Sequence, residues 1–299
     1  MPALPRRRLL SASLAGGAAL CAGLPGRGAT AHTLPSFPVG VCDWMILKRQ
    51  KLGAFKLARE IGADGVEVDM GGLGDRPTFD NKLADVVVRE QFLAEADSLG
   101  LRISSIAMSG FYAQSFAERD GIDRVVQDAI DTTVAMAAKT IFLPLGVRSD
   151  LVAHPDLRSA VVDRLRDAGR RAADAGVMIG VETALDAAGE AALLDEIGSP
   201  AIRSYFNFAN ALQNGRDLHA ELRTLGADRI CQIHASNQDG VWLEKDPAID
   251  LGAVKQTLDA MGWHGWLVVE RSRDASDARN VRSNFGANVR TLKRAFQGG

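Results

Sequence analysis

Cysteine is scarce in this chain, with three in 299 residues and no Cys-x-x-Cys spacing. A structural zinc ribbon or finger needs that spacing, so none is indicated. Cys42 and Cys231 fall inside apolar stretches that read as buried, non-adjacent strands. A disulfide is therefore not expected even in an oxidising compartment. Excess positive charge is also missing, because 35 Lys and Arg face 37 Asp and Glu for a formal charge of −2. A chain of this balance is a poor candidate for nonspecific binding to nucleic acid or to an anionic membrane. No glycine-rich loop follows the first candidate strand, where Cys42-Asp43-Trp44-Met45 stands. That removes the phosphate cradle of an open, doubly wound sheet and leaves a phosphorylated substrate without support. No low-complexity run or linker interrupts the chain, which points to one domain.

What is present starts with an export-like N-terminus. Arg6-Arg7-Arg8 precedes Leu9-Leu10 and a small-residue apolar run to Leu24, and Ala29-Thr30-Ala31 offers a cleavage site before His32. Residues 1–31 read as a signal peptide of the twin-arginine kind and are set aside from the fold. The expected destination is the bacterial periplasm, with no membrane association once the signal is removed. Loss of its four arginines takes the net charge from −2 to −6. Residues 32–299 suffice for one large α/β domain.

That remainder alternates short apolar runs with amphipathic stretches. Candidate strands cover 39–44, 65–70, 102–108, 140–145, 177–183, 203–208, 230–235 and 266–271, each bounded by turn residues as buried parallel strands are. Helices are predicted over 48–61, 82–99, 122–138, 157–175, 189–197, 217–225, 251–261 and 283–296. Gly62, Gly100, Gly176, Gly198, Gly226 and Gly262 stand where left-handed caps would end helices. Asp217 and Asp250 are candidate N-caps. Eight such units predict a single (β/α)8 TIM barrel. Loops 71–80 and 236–249 then fall at its active face.

Four of the predicted strands end in a group able to hold a metal ion: Glu182, Asn207, His234 and Glu270, on strands five to eight. C-terminal strand ends form the mouth of a parallel barrel, where such barrels do chemistry. Two carboxylates, an imidazole and an amide oxygen suit Mn²⁺, Mg²⁺, Co²⁺ or Zn²⁺. A cation held this way would acidify a C–H beside a carbonyl, and Glu182 and Glu270 could act as base and acid. Further candidates for contacting substrate are Asp43 and Trp44 at the end of strand one, Glu67 on strand two, Asn210 and Asn237.

These segments resemble the xylose isomerase-like TIM barrels, a superfamily of sugar isomerases, ketose 3-epimerases and endonuclease-IV-type enzymes (the AP endonuclease 2 family domain). The resemblance spans about residues 38–297. It is carried by Gly65-Val66-Glu67-Val68, Val181-Glu182-Thr183, Tyr205-Phe206-Asn207-Phe208-Ala209-Asn210, Ile233-His234-Ala235-Ser236-Asn237, and Gly262-Trp263-His264-Gly265-Trp266 running into Val269-Glu270-Arg271-Ser272. It implies a divalent metal held by Glu, Asp, His and Glu, with Glu182, His234 and Glu270 in three of those places and as proton-transfer pair Glu182 and Glu270. Asn207 stands in the Asp place, which removes one negative charge and implies weaker metal binding. Ser236 and Asn237 replace the Lys and Asp that often follow the histidine. Five histidines are too few for a three-metal nuclease centre.

The implied activity is that of a metal-dependent sugar isomerase or epimerase, abstracting a proton next to a carbonyl of a non-phosphorylated sugar. A 3-keto-glycoside lyase or hydratase is an alternative on the same scaffold. A non-catalytic sugar-binding barrel with a degenerate metal site is another. The expected partner is a small sugar, in a protein that could form homo-oligomers.

Overall fold

The computed structural model describes residues 34–298. The expected signal peptide lies outside the described residues. Eight parallel strands close a barrel in sequence order. They are β1 (Val39–Cys42), β2 (Gly65–Asp69), β3 (Arg102–Ala107), β4 (Thr140–Pro144), β5 (Met178–Glu182), β6 (Ile202–Asn207), β7 (Ile230–His234) and β8 (Leu267–Val269). Closure is by β1 on β8, with Val39 opposite Leu267 and Val41 opposite Val269. All residues of β1, β2 and β4 are buried. This is why β1 and β4 read as continuous apolar runs, whereas β2 alternates Val66 and Val68 with the buried carboxylates of Glu67 and Asp69.

The helices are α1 (Gly53–Glu60), α2 (Val86–Ser98), α3 (Ile122–Ala135), α4 (Arg158–Asp174), α5 (Ala187–Ile197), α6 (Phe208–Gln213), α7 (Leu218–Leu225), α8 (Leu251–Met261) and α9 (Val281–Gln297). Their apolar faces pack on the outside of the strands; Phe55, Val125, Leu165, Leu222, Leu258 and Phe285 are fully enclosed. Among the described residues, no helix is long and apolar enough to cross a membrane.

Local chemistry explains where the elements depart from expectation. Helix α1 begins five residues later than its amphipathic pattern suggests. The Asp43 carboxylate accepts the Gln50 amide at 2.8 Å, and Leu47 and Gln50 take positive φ, so the chain between them folds as a turn. The predicted helix over 82–99 is split. The Asp85 carboxylate accepts the Val87 and Val88 amides and starts α2 afresh. Helix α6 was not foreseen; the Asn207 side chain caps it by accepting the Ala209 amide. Asp217 and Asp250 cap α7 and α8 as expected. Gly262 ends α8 at φ 68°, ψ 20°, the left-handed conformation that only glycine adopts cheaply.

Gly180 of β5 has another purpose. A Cβ there would lie 2.6 Å from Cys231 Sγ and 3.0 Å from the Tyr205 side chain, so its absence lets β6 and β7 side chains close over β5.

Candidate active site

Glu182, Asn207 and His234 are the last residues of β5, β6 and β7, and Glu270 follows β8 directly. Parallel register sets Asn207 opposite His234. The barrel thereby brings four distant residues to one end, with His234 fully enclosed and the other three no more than 8% exposed. His234 Nδ1 lies 2.9 Å from Glu182 Oε2 and 3.7 Å from Glu270 Oε2. One ligand atom each from Glu182, His234 and Glu270 fits within 4.8 Å of the others.

Asn207 takes part differently from the expectation of an amide-oxygen ligand. Its Nδ2 donates to Glu182 Oε2 at 3.0 Å and to Glu270 Oε2 at 3.2 Å. Its Oδ1 accepts the Ala209 amide at 2.9 Å. The orientation follows from its partners. Turning the amide over would set its oxygen against two carboxylates and its NH₂ against a backbone N–H.

Glu67 lies deeper than a substrate-binding residue would. It points into the barrel beneath the imidazole and is fully buried. Its Oε2 meets His234 Nε2 at 3.0 Å and accepts the Cys42 thiol at 3.2 Å, while its Oε1 accepts the Tyr205 hydroxyl at 3.0 Å. Gln232 Nε2 in turn donates to Tyr205 Oη at 2.7 Å and to Ser105 Oγ at 2.9 Å.

The titration behaviour follows from this crowding. Burial alone would lower the His234 pKa, but the charges of Glu270 and Glu67, with hydrogen bonds to Glu182 and Glu67, hold it well above its usual value. Burial pushes the Glu182 carboxyl up, and Glu270 adds to the push against hydrogen bonds from His234 and Asn207. Burial, then the charge of Glu67, keeps the Cys42 thiol and the Tyr205 phenol protonated.

The other expected contacts are distributed unevenly. Trp44 is half-buried and stacks on Phe142, with ring centroids 6.3 Å apart and planes 12° from parallel. Phe142 of β4 also reaches Tyr112, Tyr205 and His234, so an aromatic wall borders the carboxylates. Asp43 lies in the turn after β1 and is fully buried. Its two oxygens accept the Asp69 and Gln50 amides, which makes it a loop anchor. Asn210 donates to the Thr183 carbonyl behind β5, and Asn237 donates to Asp246 within its own loop. Neither joins the carboxylate cluster.

Tyr112, on the short turn after β3, was not anticipated. Its hydroxyl donates to Glu270 Oε1 at 2.9 Å. The chain has only two tyrosines, and both hold a carboxylate of this cluster. The missed residues of β6 and β7 had a signal in period-two alternation: Tyr205 and Gln232 precede Asn207 and His234 by two and so share their faces.

The donor set fits a divalent cation. Glu67, Glu182 and Glu270 bring three carboxylates against one imidazole and a neutral amide, and the nearest arginine, Arg271, lies 3.9 Å from Glu270 and is about half exposed. Buried negative charge in excess of its partners is costly unless a cation joins it.

A 2-epi-5-epi-valiolone 7-phosphate 2-epimerase of Actinoplanes sp. is 30% identical over 233 residues, 75% of this chain and 81% of that protein. The solved 3-keto-D-glucoside 4-epimerase of E. coli shares the fold at TM-score 0.63 and 19% identity, over 85% of this chain and 99% of the other. D-Allulose 3-epimerase of Methylomonas sp., solved with D-allulose, does so at TM-score 0.65 and 16% identity, over 87% and 97%. Residues 55–294 match the xylose isomerase-like TIM barrel family, and the chain belongs to that family.

Proposed function

We propose that this chain is a sugar isomerase or epimerase that removes a proton from the carbon beside a carbonyl and returns it. The observation that carries the reading is the buried group Glu182, His234 and Glu270, gathered at the barrel mouth with an excess of negative charge. Glu182, His234 and Glu270 would hold a divalent cation, which supplies Lewis-acid polarisation of the substrate carbonyl and its neighbouring hydroxyl.

The chain's own residues do the rest. One of Glu182 and Glu270 takes the proton from carbon, leaving a planar enediolate. The other delivers a proton, to the opposite face for epimerisation or to the neighbouring carbon for isomerisation. Asn207 holds the two carboxylates together by donating to both, and Tyr112 orients Glu270 from its free side. Trp44, backed by the buried Phe142, offers an apolar wall to the C–H face of a sugar. The substrate is taken to be non-phosphorylated, and the protein to be exported through the arginine pair at Arg6-Arg7.

The test is a panel of free ketoses and 3-keto-glycosides incubated with and without Mn²⁺, with products followed by NMR. Epimer or isomer formation that needs the metal supports the proposal. Eliminated product instead would favour the lyase alternative, and turnover unaffected by chelator would remove the metal from it.

A further inference from the structure

The inside of a small parallel barrel is ordinarily filled by layers of branched aliphatic side chains. Here the layer beneath the mouth is polar. Cys42 of β1, Glu67 of β2, Ser105 of β3, Tyr205 of β6 and Gln232 of β7 form one hydrogen-bonded chain that ends on His234. All six are essentially inaccessible to solvent. A buried carboxylate in such a layer costs stability unless every lone pair it presents is used.

Counting hydrogens along the chain shows what it accomplishes. Gln232 Nε2 has two protons and spends them on Ser105 Oγ and Tyr205 Oη. The Tyr205 hydroxyl proton is therefore free to go to Glu67 Oε1, at 3.0 Å. The Cys42 thiol lies 3.2 Å from Glu67 Oε2 and 3.8 Å from His234 Nε2, and donates to the nearer, charged oxygen. Glu67 is thus an acceptor at both oxygens, and the remaining neighbour of Oε2, His234 Nε2, must present N–H to it.

We propose that Glu67 is a positioning residue. Held by Tyr205 and Cys42, it keeps one imidazole proton on Nε2, so that Nδ1, 2.9 Å from Glu182 Oε2 and 3.7 Å from Glu270 Oε2, is the nitrogen left for a cation between them. This rests on the proposed cation site, since a lone pair on Nδ1 is what a ligand histidine must offer. A carboxylate behind a ligand histidine typically strengthens metal binding ~10–100-fold.

The experiment uses the purified full-domain protein freed of metal. Mn²⁺ affinity is measured by calorimetry for the parent, Glu67→Gln and Tyr205→Phe, and the tautomer of His234 is read from its ¹⁵N shifts in the Zn²⁺-loaded protein, assigned with His234→Asn. The expected result is an Nε2–H tautomer in the parent. Affinity should fall ~10–100-fold in Glu67→Gln, because the amide cannot accept at both ends, and by less in Tyr205→Phe. Unchanged affinity in Glu67→Gln, in protein that melts cooperatively, would overturn the proposal, as would an Nδ1–H tautomer. If Glu67→Gln does not fold, Tyr205→Phe decides: parental affinity together with a parental ¹⁵N spectrum would overturn it. Failure of the parent to bind either metal would instead sink the cation site on which the proposal rests.

Discussion

Replacing Asn207 by Asp tests how the mouth balances its charge. In the parent the Asn207 Nδ2 bridges Glu182 and Glu270 at 3.0 and 3.2 Å, while Oδ1 stays on the Ala209 amide. Aspartate would keep the helix cap and turn an oxygen toward both carboxylates. Two hydrogen bonds to charged acceptors disappear, worth about 1.5–3 kcal/mol each. Like charges at those separations add repulsion of about 5 kcal/mol per pair at an effective dielectric of about 20, limited by protonation of one carboxylate. The metal-free variant should therefore lose at least ~3 kcal/mol, or roughly 6–12 °C in melting temperature for a domain of this size. A divalent cation should reverse the loss, because the variant offers it one more negative charge. Melting by circular dichroism in EDTA and in millimolar Mn²⁺ reads both effects. Equal melting temperatures of Asn207→Asp and parent in EDTA would refute the bridging role of the amide.

Other consequences follow from the same geometry. Glu270→Gln and Glu182→Gln should each lower kcat by ~10²–10⁴-fold with folding retained; full turnover in either, on a substrate the parent converts, would remove that residue from the proton-transfer pair. Tyr112→Phe should cost less than either, because it removes only the hydrogen bond that orients Glu270, and a parental pH–rate profile would show that the bond is idle. Glu190 on α5 is buried, and burial raises its carboxyl to about 7 against the hydrogen bond that Thr183 donates at 2.8 Å. The folded protein then holds this proton more tightly than the unfolded chain. Its contribution is complete below pH ~4.5 and is lost as pH rises through about 7, a loss of ~3 kcal/mol. Glu190→Gln should accordingly raise the melting temperature at pH 8.5 relative to the parent, and an equal gain at pH 5 would contradict this assignment.

Much of this architecture is written in local patterns. Buried parallel strands are continuous apolar runs, so β1 and β4 are visible without any tertiary information. The polar ends Glu182, Asn207, His234 and Glu270 are visible because each breaks such a run at the same side. Boundaries were less legible where a side chain competes for backbone amides. Asp43 and Asp85 reshape the starts of α1 and α2 through hydrogen bonds that no hydrophobic period encodes. Asn210 and Asn237 illustrate the limit for site residues. Both follow strand ends that carry the site, yet each spends its amide on the loop that holds it. Tyr112 was hidden for another reason. It acts from the turn after β3 on a carboxylate 158 positions away, and only closure of the barrel joins them. Glu67 is legible as a polar residue within strand two, but its depth beneath His234 depends on the stagger of β2 against β7 across the barrel interior.

The central claim is that Glu182, His234 and Glu270 support proton removal beside a sugar carbonyl. The most direct measurement is hydrogen exchange from solvent. The protein is incubated in D₂O with Mn²⁺ and each member of the ketose and 3-keto-glycoside panel, and deuterium on carbon is read by NMR. The account predicts incorporation at the carbon next to the carbonyl of at least one sugar, abolished by chelator and by Glu270→Gln. Incorporation that persists in both, or none in any sugar by metal-loaded protein, would contradict it.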